Sequence, residues 1–268
     1  SGAAQISGQL ESGPFFAPSA QLTDVLNVGT NVIIGGSAFI GGDLALNGSR
    51  IAITSNLVAV AGAVTATMTN AQLARILETY EGIFVADEAY APFADESAAD
   101  LLGQHKNLVV VRTLSKAYGL AGLRVGYALG DAATIGILDR VRDSYNLDTL
   151  AQSAAAAAIA DEDYLAVTLE AIKQTRAQFE KDVKARGFFA YPSQTNFVFM
   201  RPCDGQGRHS SELTRHLFET LKASRILVRA FPNHPLTSCF LRVTIGTPAQ
   251  MRALNTALDL WQTNAPPA

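Results

Sequence analysis

The chain has 268 residues, a length that suits one large or two modest domains and is enough to bury a real core. Hydrophobic residues make up 48% and charged residues 17%, which excludes an intrinsically disordered chain. With 21 basic and 24 acidic residues the net charge is −3, so no broad cationic face is on offer to a phosphate backbone, and nucleic acid is not an expected partner. The cysteines, Cys203 and Cys239, are too few for a disulfide framework and suit a reducing compartment at least as well as a secreted one. No apolar run reaches the roughly 18 residues that a membrane span needs. The opening SGAAQISGQLESG lacks a basic region followed by an apolar stretch. The expectation is a soluble, cytoplasmic protein with no membrane partner.

Between Thr23 and Val64 the only charged residues are Asp24, Asp43 and Arg50, amid Gly, Ala, Val, Ile and Asn. Such a stretch reads either as short strands with tight turns or as a strand entering a Gly-rich phosphate turn, and periodicity does not choose. Thr69 is placed to cap a helix with Leu73, Ile76 and Leu77 on one face, ending near Tyr80–Gly82. The apolar run IFVAD reads as a buried parallel strand with acids at its carboxyl end. LVVVRTLS (Leu108–Ser115) repeats that design, and VGYALG (Val125–Gly130) is a third strand candidate. This alternation is α/β grammar. Asp131 caps a further helix, QSAAAAAIA (Gln152–Ala160) is a slim helix able to pack closely on a sheet, and Glu162–Arg186 is a long helix. Strands at TNFVFM, ILVRAF and FLRVTIG, with helices at SSELTRHLFETLKA and AQMRALNTALDLWQ, complete a smaller α+β domain. No internal repeat is evident. The expected division is an atypical Gly/Ala/Val-rich segment at 1–64 belonging to the large domain, a large domain at 65–167 with a mainly parallel sheet, and a small domain at 168–268.

Two segments carry chemistry. VADEAYAPF places Asp87 and Glu88 at a strand end with Tyr90 close behind; TLSKAYGLAGLRVGYALG places Lys116 after Ser115, with Arg124 eight residues on. Small, apolar and hydroxyl neighbours around Lys116 lead to an expected partly desolvated amine, able to attack an aldehyde. Singly, each residue has an uneventful alternative: a solvated lysine, a capping aspartate, a core tyrosine, a surface arginine. Jointly they offer an amine for a Schiff linkage, an acid for a pyridine nitrogen, a phenol for a phenolate, and a hydroxyl with a guanidinium for a phosphate. Pyridoxal 5′-phosphate (PLP) needs all of these at once. The histidines, His105, His209, His216 and His234, show no HExxH spacing and the cysteines no CxxC, so no metal site is expected.

On these motifs, TLSKAYGLAGLRVGYA above all, residues 69–261 resemble the histidinol-phosphate aminotransferase family of fold type I PLP enzymes. The resemblance implies a PLP-dependent transferase-like large domain with Lys116 bound to the cofactor. It further implies Asp87 at the pyridine nitrogen, Tyr90 at the ring's phenolic oxygen, and Ser115 and Arg124, with Thr113 nearby, at the phosphate. Arg242 of LRVTIGTP would grip the substrate's α-carboxylate, Arg229 of ILVRAF the phosphate of histidinol phosphate, and Asn196 of SQTNF would lie near the substrate. The implied activity is two-stage transamination in histidine biosynthesis, with 2-oxoglutarate as acceptor, by a homodimer.

Ahead of the matched region the chain departs from the family. After IAITS a motif of the type N-P-N-N-P-T-G is expected; the chain reads NLVAVAG, keeping Asn56 and Gly62 but carrying Ala59 where an asparagine would bond the cofactor ring oxygen. A ring-stacking aromatic has no counterpart, and Ser37 in GGSAF only faintly matches a phosphate turn. A rearranged aminotransferase, a noncatalytic homologue and an aminotransferase or phospho-amino-acid decarboxylase with another substrate stay open on this reading.

Overall fold

The computed structural model describes residues 68–144, 146–233 and 237–264 with their side chains, and before them the backbone of ten strands between Ala4 and Ala61. Ser37, Asn56, Gly62 and His234 lie outside the described residues, and Ala59 is described in its backbone alone. The chain divides into two compact units, Ser1–Glu162 and Asp163–Ala268.

The first unit opens with nine strands of three residues each: β1 (Ala4–Ile6), β2 (Leu10–Ser12), β3 (Phe15–Ala17), β4 (Ala20–Leu22), β5 (Leu26–Val28), β6 (Val32–Ile34), β7 (Ala38–Ile40), β8 (Leu44–Leu46) and β9 (Ile51–Ile53). Each of β1–β6 pairs in parallel with the third strand after it, giving sheets β1-β4-β7, β2-β5-β8 and β3-β6-β9. Ala4 lies opposite Ala20, 16 positions on, and Val32 opposite Ile51, 19 positions on. The backbone therefore repeats where the sequence shows no repeat. Three-residue strands are too short to display a two-residue alternation, and the return distance drifts, so no residue type recurs at a fixed interval.

The site-bearing sheet follows, in the order β10-β11-β12-β13: β10 (Leu57–Ala61), β11 (Ile83–Asp87), β12 (Leu108–Thr113) and β13 (Gly126–Gly130). The first three strands run parallel and β13 runs antiparallel to β12. Helix α1 (Asn70–Thr79) starts at Thr69, where the expected cap is a full capping box with Gln72. Its Leu73 and Leu77 pack on Phe84, Ala86, Leu108 and Val110, so α1 covers the face of the sheet formed by alternate residues of β11 and β12. Helix α2 (Ala132–Val141) is capped by Asp131 as expected, yet none of its residues is buried. Helix α3 (Thr149–Ala160) uses its small residues to approach closely: Ala151 and Ala155 pack on Leu114 and Val125 just beyond β12.

The second unit begins as α4 (Glu162–Ala185) gets under way. Its antiparallel sheet has the order β14-β15-β17-β16, from β14 (Phe189–Ala190), β15 (Phe197–Arg201), β16 (Arg229–Ala230) and β17 (Leu241–Thr244). Strand β14 has no counterpart in the sequence expectations; two residues leave no pattern to read. Helices α5 (Ser211–Ala223) and α6 (Pro248–Asn264) join α4 on one sheet face, where Phe179, Val183, Val198, Met200, Leu217, Leu241, Val243, Leu258 and Trp261 form the core. The other face carries Phe199, Arg201, Arg229 and Arg242, the residues that alternate with the core-facing ones. Among the described residues no helix is long and apolar enough to cross a membrane.

Leu217 is fully buried in this core and Leu227 is 81% exposed. Leu217→Ala is expected to lower unfolding free energy by about 2–5 kcal/mol in chemical denaturation, and Leu227→Ala to stay within about 0.5 kcal/mol of the parent.

Candidate active site

In the first unit the expected residues gather where β11 and β12 end. Parallel pairing sets Asp87 opposite Val111, so Thr113 and the turn after it emerge beside the end of β11. Asp87 Oδ1 accepts from the Ala89 amide at 3.1 Å, which turns the chain toward Tyr90 and leaves the other carboxylate oxygen without a hydrogen bond among the described residues. Beyond β12 the Leu114 amide donates to Val125 O at 3.1 Å and the Gly119 amide to Lys116 O at 3.2 Å, folding Lys116 into a tight turn. Gly119 closes that turn at φ 68°, a left-handed conformation natural to glycine. The Lys116 ammonium lies 5.5 Å from the centre of the Tyr90 ring, and no carboxylate is within ion-pair distance of it among the described residues. The two motifs therefore meet.

The expected desolvation of Lys116 is not found: its side chain is exposed, as is that of Asp87. Apolar neighbours in sequence do not cover Lys116, because Leu114 and Ala117 turn into the core while the lysine projects from the sheet's end. Ser115 donates its amide to Thr113 Oγ1 at 3.1 Å, and Thr113 Oγ1 donates to Val125 O at 3.3 Å. The Thr113 hydroxyl is thus already committed within the turn, whereas the Ser115 hydroxyl has no partner among the described residues. Arg124 is exposed, in the left-handed region at φ 55°, ψ 34°, with Nη1 donating to Ala121 O at 3.2 Å. Left-handed backbone costs a residue with a Cβ about 1–2 kcal/mol, so the sequence holds an arginine where glycine would be easier.

Glu88, singled out in the sequence without a role, accepts from Arg112 Nε at 3.1 Å and Nη2 at 2.9 Å, and from Ser97 Oγ at 2.9 Å. Arg112 and Ser97 were not among the expected residues; the only signals are the acid following Asp87 and the base preceding Thr113. Burial works against the Arg112 charge, but hydrogen bonds to Glu88 and Tyr127 outweigh it and raise its pKa further. Burial likewise pushes the Tyr118 phenol above its ordinary range, so it stays protonated at neutral pH.

In the second unit, Arg229 of β16 lies directly opposite Arg242 of β17. Like charges facing each other across a ladder are unfavourable. Arg242 is half-buried, sits 5.0 Å from the Phe197 ring centre, and its Nε is a buried donor with no partner. Arg229 is exposed beside Phe231, 5.3 Å from the ring centre. An unsatisfied guanidinium donor beside a second cation is a fit for an anion. Asn196 precedes β15, and its carbonyl accepts from the Ile245 amide at 2.8 Å, which fixes it at the end of β17 that follows Arg242.

For a pyridoxal-type cofactor the donor set fits at the groups described: an unpaired amine, a carboxylate oxygen open to a protonated ring nitrogen, a phenol, a free hydroxyl and a guanidinium. The unsatisfied Arg242 Nε fits a carboxylate-bearing substrate. Because the ligand-free protein bears the cost of the Arg229–Arg242 pair, Arg242→Met is expected to leave stability unchanged or raise it by up to about 2 kcal/mol in thermal unfolding.

Known proteins resemble this chain over its C-terminal two-thirds. A protein named histidinol-phosphate aminotransferase from Geobacter sulfurreducens is 44% identical over 177 residues, which is 66% of this chain and 48% of that protein. One named histidinol-phosphate aminotransferase 1 from Trichormus variabilis is 39% identical over 189 residues, 70% of this chain and 52% of that protein. The crystal structure of histidinol-phosphate aminotransferase from Sinorhizobium meliloti in complex with pyridoxal-5′-phosphate superposes with a TM-score of 0.70 at 25% identity, over 84% of this chain and 66% of that one. The chain spans about half the length of the curated relatives it matches. The fold is the α/β fold of the PLP-dependent aminotransferases. The model of aminotransferase class I and II matches residues 51–258, and this chain belongs to that family.

Proposed function

We propose that this chain is a PLP-dependent aminotransferase acting on histidinol phosphate, with 2-oxoglutarate taking up the amino group. The observation that supports this most is the approach of the Lys116 ammonium to the Tyr90 ring, 5.5 Å from its centre, which sets the amine beside the strand end that carries Asp87. The names of the relatives favour the substrate.

When bound, PLP supplies a carbonyl that condenses with amines and a ring that draws electrons from the substrate's α-carbon. Lys116 would provide the amine that anchors PLP and a base placed to take a proton from the substrate's α-carbon. Asp87 would offer a protonated pyridine nitrogen a negative partner. Tyr90 would hydrogen-bond the ring's phenolic oxygen, and Ser115 and Arg124 would hold the phosphate, with Thr113 bracing the turn that carries Ser115. Arg242 would take the α-carboxylate with its planar fork, Arg229 would take the substrate phosphate, and Asn196 would lie near the substrate. As a biosynthetic enzyme it would work in the cytoplasm as a homodimer, for which size-exclusion chromatography with light scattering should give twice 28.4 kDa.

Mixing the protein with PLP is expected to give a visible absorbance band that is lost in Lys116→Ala; a spectrum identical in both would favour a noncatalytic homologue. Arg229→Ala is expected to raise KM for histidinol phosphate by about 10- to 100-fold while changing that for an unphosphorylated amino acid little, as befits loss of a charge-assisted hydrogen bond. Equal losses for both substrates would remove the assignment of Arg229.

A further inference from the structure

Asp87 and Glu88 are adjacent acids that face in opposite directions. Strand alternation puts Asp87 on the side of Val85, and Glu88 on the side of Phe84 and Ala86, which pack under α1. On β12 the same alternation puts Arg112 on the side of Leu108 and Val110, and Thr113 on the other. Glu88 and Arg112 therefore meet at the carboxyl edge of the core-covered face, just behind the candidate site. Their side chains are 12% and 24% exposed. The Glu88 amide donates to Val111 O at 2.8 Å, carrying the β11–β12 ladder one residue further.

Ser97 completes the cluster. Its hydroxyl donates to Glu88 Oε2 at 2.9 Å and accepts from Arg112 Nη2 at 2.7 Å and from the Ala99 amide at 3.0 Å, so its single donor and both acceptor sites are in use. Glu88 Oε1 accepts from the Ala98 amide at 2.5 Å. Ser97 also caps the short 3-10 helix Ala98–Leu101, whose Ala98 and Leu101 lie in the core. The stretch from Glu88 to Ser97 is thus a loop whose two ends are tied together and to Arg112. Inside it, Phe93 is fully buried, and Tyr90 faces Lys116.

We infer that Glu88, Ser97 and Arg112 form a positioning clamp that closes the 88–97 loop and fixes Tyr90 against Lys116. The clamp's hydrogen bonds run among Glu88, Ser97, Arg112 and the Ala98 and Ala99 amides. It acts through geometry: one anchor is the end of β11, another is the strand that leads into the Lys116 turn, and the third is the far end of the Tyr90 loop. Nε and Nη2 of Arg112 converge on one Glu88 oxygen, Oε2, and a shielded carboxylate left without its cation is costly, so the loop has one favoured closed arrangement. This inference rests on the proposed function for its consequence to the cofactor, though not for its account of the loop.

The test measures the parent, Glu88→Gln, Arg112→Lys and the milder Ser97→Ala in two ways. Amide hydrogen exchange on cofactor-free protein reads the loop alone. Residues 89–97 are expected to exchange about 10- to 100-fold faster in Glu88→Gln, while Val109–Val111 keep their protection. With PLP bound, the pH midpoint of the visible band is expected to move in Glu88→Gln and Ser97→Ala, in the direction that Tyr90→Phe moves it, and to stay nearer the parent in Arg112→Lys, which keeps the charge. If Glu88→Gln fails to fold, Ser97→Ala decides by the same two measurements. Unchanged exchange in 89–97, or faster exchange with an unmoved midpoint, overturns the clamp as a positioning device. A parent that shows no band at all defeats the proposed function, and the exchange measurement then still upholds or overturns loop closure.

Discussion

The parallel pairing of β11 with β12 is the constraint on which the first unit depends. It sets Asp87 against Val111 and so delivers two loops to one edge of the sheet, the first with a carboxylate and a phenol, the second with an amine, a hydroxyl and a guanidinium. A parallel ladder makes both strands end at the same edge, and open α/β sheets place their chemistry there because loops leaving strand ends can vary while the strands stay fixed. The pairing is held by Phe84, Leu108 and Val110 under α1, all close to fully buried, so the energy that positions the site comes from apolar burial some distance behind it.

Satisfied and unsatisfied groups are distributed unequally. Glu88, Arg112, Ser97 and Thr113 spend their hydrogen bonds on one another, on Tyr127 and on the backbone, whereas Lys116 and the second oxygen of Asp87 do not, and Arg242 keeps a buried donor unmatched. Groups that brace a site should be saturated, since every unfilled valence lets them wander. Groups that bind should retain capacity, at a cost in stability. Arg124 in left-handed backbone and Arg229 opposite Arg242 follow the same logic of local cost at positions assigned to ligand.

Much of this was legible in residue order. IFVAD and LVVVRT announce buried parallel strands because continuous β-branched runs suit a sheet covered by helices, and Thr69 and Asp131 mark helix starts through the side-chain oxygen each offers to unpaired amides. The antiparallel sense of β13 was not legible, because a strand's direction relative to its neighbour depends on how the intervening turn closes and leaves no trace in its own composition. The exposure of Lys116 was missed for a related reason: its neighbours in sequence are apolar, but they face the core and leave the lysine uncovered. Arg112 and Ser97 were invisible because their partner, Glu88, lies 24 and 9 positions away, and an ion pair at such separations has no signature in the chain. The three-residue strands of β1–β9 hid their repeat by being shorter than any period a sequence can display.

The central claim is that Lys116 is the amine the fold presents to PLP. Reducing a mixture of protein and PLP with borohydride, digesting it and locating the pyridoxyl group by mass spectrometry tests that claim most directly. The account predicts the label on Lys116 at about one per chain, with surface lysines such as Lys106 and Lys181 essentially unmodified. Label spread evenly over exposed lysines, or Lys116 left unmodified, would contradict it.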